Sequence, residues 1–235
     1  EAFNALAKML PPQLPGGQVV RSIDAGSNLG YAGGINVCMA GAPDADAWWV
    51  LNPDTVPDEA ALAHLCSRLA AGGCAAVGAT IHDADGRVES RGGRWNAWLA
   101  RAVSVDNGLR RGEAPGAIAA GEQVNYLSGA SMLVGRDFVD RVGLMREDYF
   151  LYAEEVEWCL RAVQGGLKLG LAPEANVLHQ QGTSTGSVYD VRSRGRMPVY
   201  LDERNKILVT RDRFPARIVV AAGGRPKLVP TTAAH

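Results

Sequence analysis

Apolar residues recur along the chain in two periods, and the changes of period outline its elements. Phe3, Leu6, Ala7 and Leu10 keep helical spacing until Pro11-Pro12 stops them. Val19 to Ile23 is a short β-prone run. A glycine-rich turn, Asn28 to Asn36, then leads into a helix reaching Ala42. Trp48-Trp49-Val50-Leu51 reads as a buried central strand that Asn52-Pro53-Asp54-Thr55 ends abruptly, because Pro53 has no N–H for a ladder. Leu62, Leu65, Cys66 and Leu69 line one helix face up to Gly72-Gly73, and Ala75 to Ile81 is the next strand. Asp85-Gly86 marks a tight turn. Residues 92–123 show no period and read as a long excursion. Strand character resumes from Val124 to Val134, and a short helix spans Asp137 to Val142. Val156, Cys159, Leu160 and Val163 predict a helix closed by Gly165-Gly166. Two short strands around Pro173 follow, the second delivering His179, and a last helix spans Val199 to Arg211.

Composition narrows the class. With 47% hydrophobic and 21% charged residues among 235, the chain suits a soluble globular enzyme, with one domain through residue 213 and a basic tail over 214–235. No stretch approaches the roughly 18–20 apolar residues of a membrane span, and no basic start precedes an apolar run, so neither an anchor nor a leader is expected. Cys38, Cys66, Cys74 and Cys159 form no paired-ligand spacing and read as buried thiols in a reducing cytoplasm. Net charge is −1, but Arg192 to Lys227 holds ten Lys/Arg against three Asp/Glu. Such a run marks a solvated face or a contact with phosphate or an anionic membrane.

Three places carry candidate chemistry. Asp54 stands at the carboxyl end of a strand, where open α/β sheets bind ligands; the plainer reading is a turn in which Asp54 or Thr55 caps a helix opened by Pro57. The glycines of Asn28 to Asn36 do not fit a dinucleotide fingerprint, yet they let a backbone approach a ligand at a helix start. Glu154, Glu155 and Glu157 crowd one helical turn; Glu157 has Arg161 four residues on as a partner, while mutual repulsion argues against a purely stabilising role for all three.

In order and spacing, the segments Asn28 to Asn36, Leu51-Asn52-Pro53-Asp54-Thr55, Ser128-Gly129-Ala130, Glu154-Glu155-Val156-Glu157 with Arg161, Val177-Leu178-His179 and Arg204-Asn205 resemble family 2 glycosyltransferases of the rhamnosyltransferase-like bacterial branch. The resemblance spans about residues 20–210. It implies an α/β GT-A fold with a mixed, mostly parallel central sheet flanked by helices. It also implies Mg²⁺ or Mn²⁺, a nucleotide-diphosphate sugar donor and inversion at the anomeric carbon. Asp54 would hold the metal with Asn52, which stands where the family often has aspartate, and with His179. Glu155 would be the catalytic base. Donor contacts would come from Asn28, Gly30, Gly33, Asn36, Asn52 and Asp54, and acceptor contacts from Gly129, Glu154 and Trp158, the last three residues along the helix from Glu155. The acceptor would be a glycan or polyprenyl-diphosphate-linked sugar in cell-envelope polysaccharide synthesis, with no nucleic acid partner. Cytoplasmic work at the inner face of the membrane follows, with the basic tail as a peripheral contact. The family's first two strands have no counterpart before Glu1, so the chain reads as lacking them. The alternatives are a non-catalytic sugar- or nucleotide-binding remnant of this fold and a sugar-nucleotide pyrophosphorylase.

Overall fold

A computed structural model describes residues 2–113, 124–180 and 195–218. Helix α1 (Ala2–Met9) precedes α2 (Gly30–Ala40), and strand β1 (Ala47–Leu51) leads through a turn to β2 (Thr55–Pro57). Then come α3 (Ala61–Ala70), β3 (Ala76–His82), β4 (Val88–Ser90) and a separate hairpin of β5 (Gly93–Asn96) and β6 (Arg101–Ser104). The chain continues with β7 (Ser131–Gly135), α4 (Arg136–Val142), α5 (Glu154–Gln164), β8 (Leu169–His179) and α6 (Arg196–Arg213).

The main sheet runs β1-β7-β3-β8-β2, with β4 also on β3. Its β3 is buried at every position, and the pleat sends successive side chains to opposite faces. Val77, Ala79 and Ile81 join Leu133, Ala172 and Val177 against Ala61 and Leu65 of α3. Ala76, Met132 and Val134 face the other way, into a larger core with Phe138, Val156, Trp158, Leu160 and Val209. The sheet is thus covered on both faces, as a mixed α/β layer requires.

Several expectations need correction. The sheet is mixed, but its parallel content among the described strands is the single β3–β8 pairing; β7 arrives antiparallel between β1 and β3. For the same reason β1 is an edge of the described sheet rather than central, and only Val50 in it is buried. Its two tryptophans reach hydrogen-bond partners instead, Trp48 on Ala42 O and Trp49 on Ser131 Oγ. Thr55 to Pro57 forms a strand, not a helix opening, and α3 starts at Ala61. The α3 stripe is Ala61 and Leu65; Leu62 and Cys66 are exposed, as is Cys38, so the thiols are not all buried. Val19 to Ile23 makes one bridge to Gln13 and no strand, since both end residues face solvent. The two strands around Pro173 are one strand with a bulge. The register on β3 jumps between Ala79 and Thr80, and Pro173 sits where no ladder donor is needed, its carbonyl accepting from Thr80 Oγ1. The first part of the 92–123 excursion is the β5–β6 hairpin, while residues 114–123 fall outside the described residues. So do 181–194 and 219–235, which hold Gln181 to Ser184 and much of the basic tail.

Candidate active site

The turn after β1 is built tightly. Asn52 N–H donates to Ala130 O at 3.1 Å, and Thr55 returns both its N–H and its hydroxyl to Asn52 O. The chain then enters β2, which pairs antiparallel with the end of β8 so that Thr55 lies opposite His179. Gln180 N–H closes the pair on Asp54 O at 2.8 Å. This register brings His179 Nε2 to 3.5 Å from Asp54 Oδ1. On its other side, His179 Nδ1 lies 3.1 Å from Glu89 Oε2 of β4. The hydrogen bond to Glu89, with the charges of Glu89 and Asp54, raises the His179 pKa.

Asn52 Oδ1 and Asp54 Oδ1 are both buried without a hydrogen-bond partner. Buried acceptors left unpaired are costly, and such atoms call for an explanation. Among the described residues no three His, Cys, Asp or Glu side chains form a ready metal cluster. The donor set here is different: a carboxylate oxygen, an amide oxygen and an imidazole nitrogen whose partner nitrogen is oriented by a carboxylate. Those groups fit a hard divalent cation, and the Glu89 contact is the kind that fixes a ligating histidine.

The second cluster lies at the start of α5. Phe150, Tyr152 and Ala153 have positive φ values of 64°, 74° and 65°, conformations that non-glycine residues adopt only when held. The hold comes from α6. The Asn205 amide lies within 2.9 Å of the carbonyls of Tyr149, Leu151 and Tyr152, and Arg204 reaches those of Asp148 and Tyr149. The loop so formed starts α5 at Glu154. Three acids in one turn then have three environments. Glu157 is fully buried between Arg161 at 3.1 Å and Arg213 at 3.5 Å. Glu154 is almost fully buried, and burial plus the adjacent Glu155 charge push its pKa far up. Glu155 keeps some exposure; burial raises it to about 7 although the backbone N–H groups of Glu155 and Val156 favour its charge. The helix start alone predicts a fully ionised Glu155, and burial outweighs that effect.

Tyr31 links the clusters. Its hydroxyl donates to Gly129 O, and its pKa is raised far by burial and by the charges of Glu155, Glu154 and Asp54. A Cβ on Gly129 would stand 3.2 Å from Tyr31 Oη and 3.4 Å from Glu155 Cγ. Asp54 and Glu155 therefore flank one side of the molecule with Tyr31 near both.

Comparison with known proteins gives relatives and a fold. The chain is 25% identical over 202 residues to the low-salt glycan biosynthesis hexosyltransferase Agl10 of Haloferax volcanii, covering 85% of this chain and 62% of that protein. It is 32% identical over 198 residues to the N-acetylglucosaminyl-diphospho-decaprenol L-rhamnosyltransferase of Mycobacterium tuberculosis, covering 71% and 61%. Its fold matches the crystal structure of GalNAc-T7 with UDP, GalNAc and Mn²⁺ at a TM-score of 0.59 and 16% identity, over 89% of this chain and 38% of that one. The chain has the GT-A fold, and its sequence is similar to those of the hexosyltransferase and the rhamnosyltransferase named above. No family model matches it. It spans about three fifths of the length of the curated relatives, 62% and 61%.

On this GT-A frame the expected site residues divide. Asp54 and His179 meet, with Asn52 two residues before Asp54 in the same turn, and Gly129 and Glu155 meet, with Glu154 the neighbour of Glu155 on α5. Trp158 does not join them. It is fully buried, edge-on to Phe138, with its indole N–H on Gly143 O, so it belongs to the core and cannot floor an acceptor sugar. Asn36 is also structural: its amide donates to Met145 O and Glu147 Oε1 and accepts from Met145 N. Gly30 has φ +72°, and a Cβ there would lie 2.1 Å from Phe150 O; it lets α2 close on the Phe150 loop. A Cβ on Gly33 would meet Leu29 Cβ at 2.5 Å, a packing constraint too. Asn28 is exposed and accepts from Gly30 N, an Asx turn at the helix entry. Sequence reasoning missed Glu89, Tyr31 and the holding role of Asn205. Only Tyr31 and Asn205 had a signal, since both lie inside the segments of the resemblance.

Proposed function

We propose that the protein is a metal-dependent, inverting hexosyltransferase. It moves a sugar, rhamnose first among the candidates, from a nucleoside-diphosphate donor to a hydroxyl of a polyprenyl-diphosphate-linked acceptor, in cell-envelope polysaccharide assembly. The relatives' names support the reaction class and the lipid-linked acceptor. The observation that carries the reading is a pair of buried oxygens on the same side of the molecule as Glu155: Asn52 Oδ1, which has no hydrogen-bond partner, and Asp54 Oδ1, which has only His179 Nε2 at 3.5 Å. Asp54, Asn52 and His179 would hold Mg²⁺ or Mn²⁺, with Glu89 orienting the imidazole. When bound, the cation supplies positive charge where the leaving diphosphate gains negative charge.

The remaining work falls to the chain. Glu155, half-ionised near pH 7, takes the proton of the acceptor hydroxyl as its oxygen bonds to the anomeric carbon and the bond to the diphosphate breaks. A single displacement of this kind inverts the carbon. Glu154 lies beside the base, its pKa pushed well up by burial and by the Glu155 charge, and would contact the acceptor. Asn205 and Arg204 hold the loop that sets the height of Glu155. Work on a lipid-linked acceptor calls for the inner face of the membrane. Among the described residues no helix is long and apolar enough to cross one, so contact would be peripheral.

Donor binding by the full-length protein, measured by calorimetry with nucleotide sugars, tests the site. Asp54→Ala should abolish Mg²⁺- or Mn²⁺-dependent binding, and Asn52→Ala should weaken it. Equal donor affinity with and without chelator would remove the metal from the mechanism.

A further inference from the structure

The β5–β6 hairpin carries a rigid apolar tip that the proposed reaction does not use. Asn96 Oδ1 accepts from Trp98 N and Leu99 N, at 3.0 Å and 3.1 Å, while Ala97 and Ala100 on either side are buried. The turn is therefore fixed, and it presents Trp98 52% and Leu99 62% exposed, with Val103 53% exposed on β6. Holding a tryptophan and a leucine side by side in water costs free energy that a flexible or polar turn would avoid; such patches mark interaction sites.

Among the described residues the charge around the tip is mostly positive. From Gly93 to Ser104 the hairpin has two arginines, Arg94 and Arg101, and no acid. Arg217 adds a third, its guanidinium 4.7 Å from the centre of the Trp98 ring. Arg94, Trp98 and Arg217 line a cleft of about 580 Å³ behind the tip. The one acid on its wall, Asp106, is neutralised by the buried Arg91 at 3.2 Å. Four other cations in the described part of the basic C-terminal run are spent elsewhere: Arg204 on loop carbonyls, Lys206 on Asp202 and Glu203, Arg211 on Asp212, Arg213 on Glu157.

We propose that the Trp98-Leu99 tip, flanked by Arg101 and Arg217, docks the protein on an anionic phospholipid surface. Tryptophan and leucine enter the headgroup boundary while the arginines lie among lipid phosphates, the division seen in interfacial anchors. The hairpin is joined to the catalytic side, since Gly93 bridges to Tyr126, whose hydroxyl burial and the Glu155 charge hold up to about 12. Docking by the tip thus sets the base close to the layer in which a polyprenyl-linked acceptor resides. This inference rests on the lipid-linked acceptor of the proposed function only for its purpose, not for its geometry.

Vesicles with brominated acyl chains, made with phosphatidylglycerol or with phosphatidylcholine alone, provide the test on full-length protein. Trp98 is the most exposed of the described tryptophans; Trp95 is 6% exposed and Trp158 fully buried. The bromolipid should quench fluorescence on anionic vesicles only, and Trp98→Phe should keep vesicle binding but lose most of the quenching. Trp98→Ser with Leu99→Ser should lower partitioning at least about tenfold, with the melting temperature showing that the fold persists. Arg217→Gln should weaken binding and flatten its salt dependence. Unchanged quenching in Trp98→Phe, or unchanged partitioning in the double variant, overturns the proposal. So does a patch that drives self-association or protein binding with no affinity for lipid. Vesicle binding is read without turnover, so a protein that docks through Trp98 yet transfers no sugar would sink the transferase reading and leave this one standing.

Discussion

At the scale of single residues, chemistry is set by what burial does to each carboxylate. Glu157 is spent on Arg161 and Arg213, burial pushes the Glu154 pKa well up, and burial raises Glu155 to about 7. A base must be ionised to act, so kcat/KM should climb as pH rises toward about 7 and level off above it. Stability runs the other way. The folded carboxyl holds its proton more tightly than its unfolded value of 4.5, so its contribution is fully present below 4.5 and lost as pH rises to about 7. Glu155→Gln should therefore gain stability over wild type across that window, by no more than about 3 kcal/mol. Urea melts at pH 5 and pH 8 check this; a gain equal at both pH values would place the Glu155 pKa near its ordinary range.

At the scale of elements, the α5 entry depends on α6. The Phe150 to Ala153 backbone is strained, and Asn205, fully buried, supplies the donors that hold it. Asn205→Ala should cost about 1–3 kcal/mol by leaving carbonyls unpaired. It should also lower turnover more than donor affinity, because the base loses its support. Asn205→Asp, which puts an acceptor against carbonyls, should be no better. A fully active, equally stable Asn205→Ala protein would show that the loop holds itself. This element also shows why sequence reading succeeds and fails. The α5 helix was legible because Val156, Cys159, Leu160 and Val163 keep its period and Gly165-Gly166 ends it. The same period placed Trp158 on the Glu155 side. Spacing along one helix cannot say which side faces Phe138 and Gly143, and those contacts come from residues far along the chain.

At the scale of the molecule, long-range pairing assembles the site. Asp54 and His179 were legible as strand-end residues, and the β2–β8 register delivers them to one place. Glu89 was not legible: it sits on a three-residue strand with no pattern, and only β3 brings β4 beside the end of β8. The mostly parallel sheet was implied by the resemblance alone, and nothing in the local pattern of residues 124–135 shows that β7 is inserted antiparallel between β1 and β3. Fold class and the two halves of the site therefore follow from local pattern and resemblance, whereas the orienting residues follow from topology.

The most direct test sets Glu155→Gln beside Glu154→Gln in the full-length protein, with sugar transfer and donor affinity measured separately. Glu155→Gln should bind donor as wild type does and transfer about 10²–10⁴-fold more slowly, while Glu154→Gln, which keeps the shape of a side chain that is not the base, keeps most of its turnover. Near-normal transfer by Glu155→Gln with a dead Glu154→Gln would contradict the assignment of Glu155 as the base.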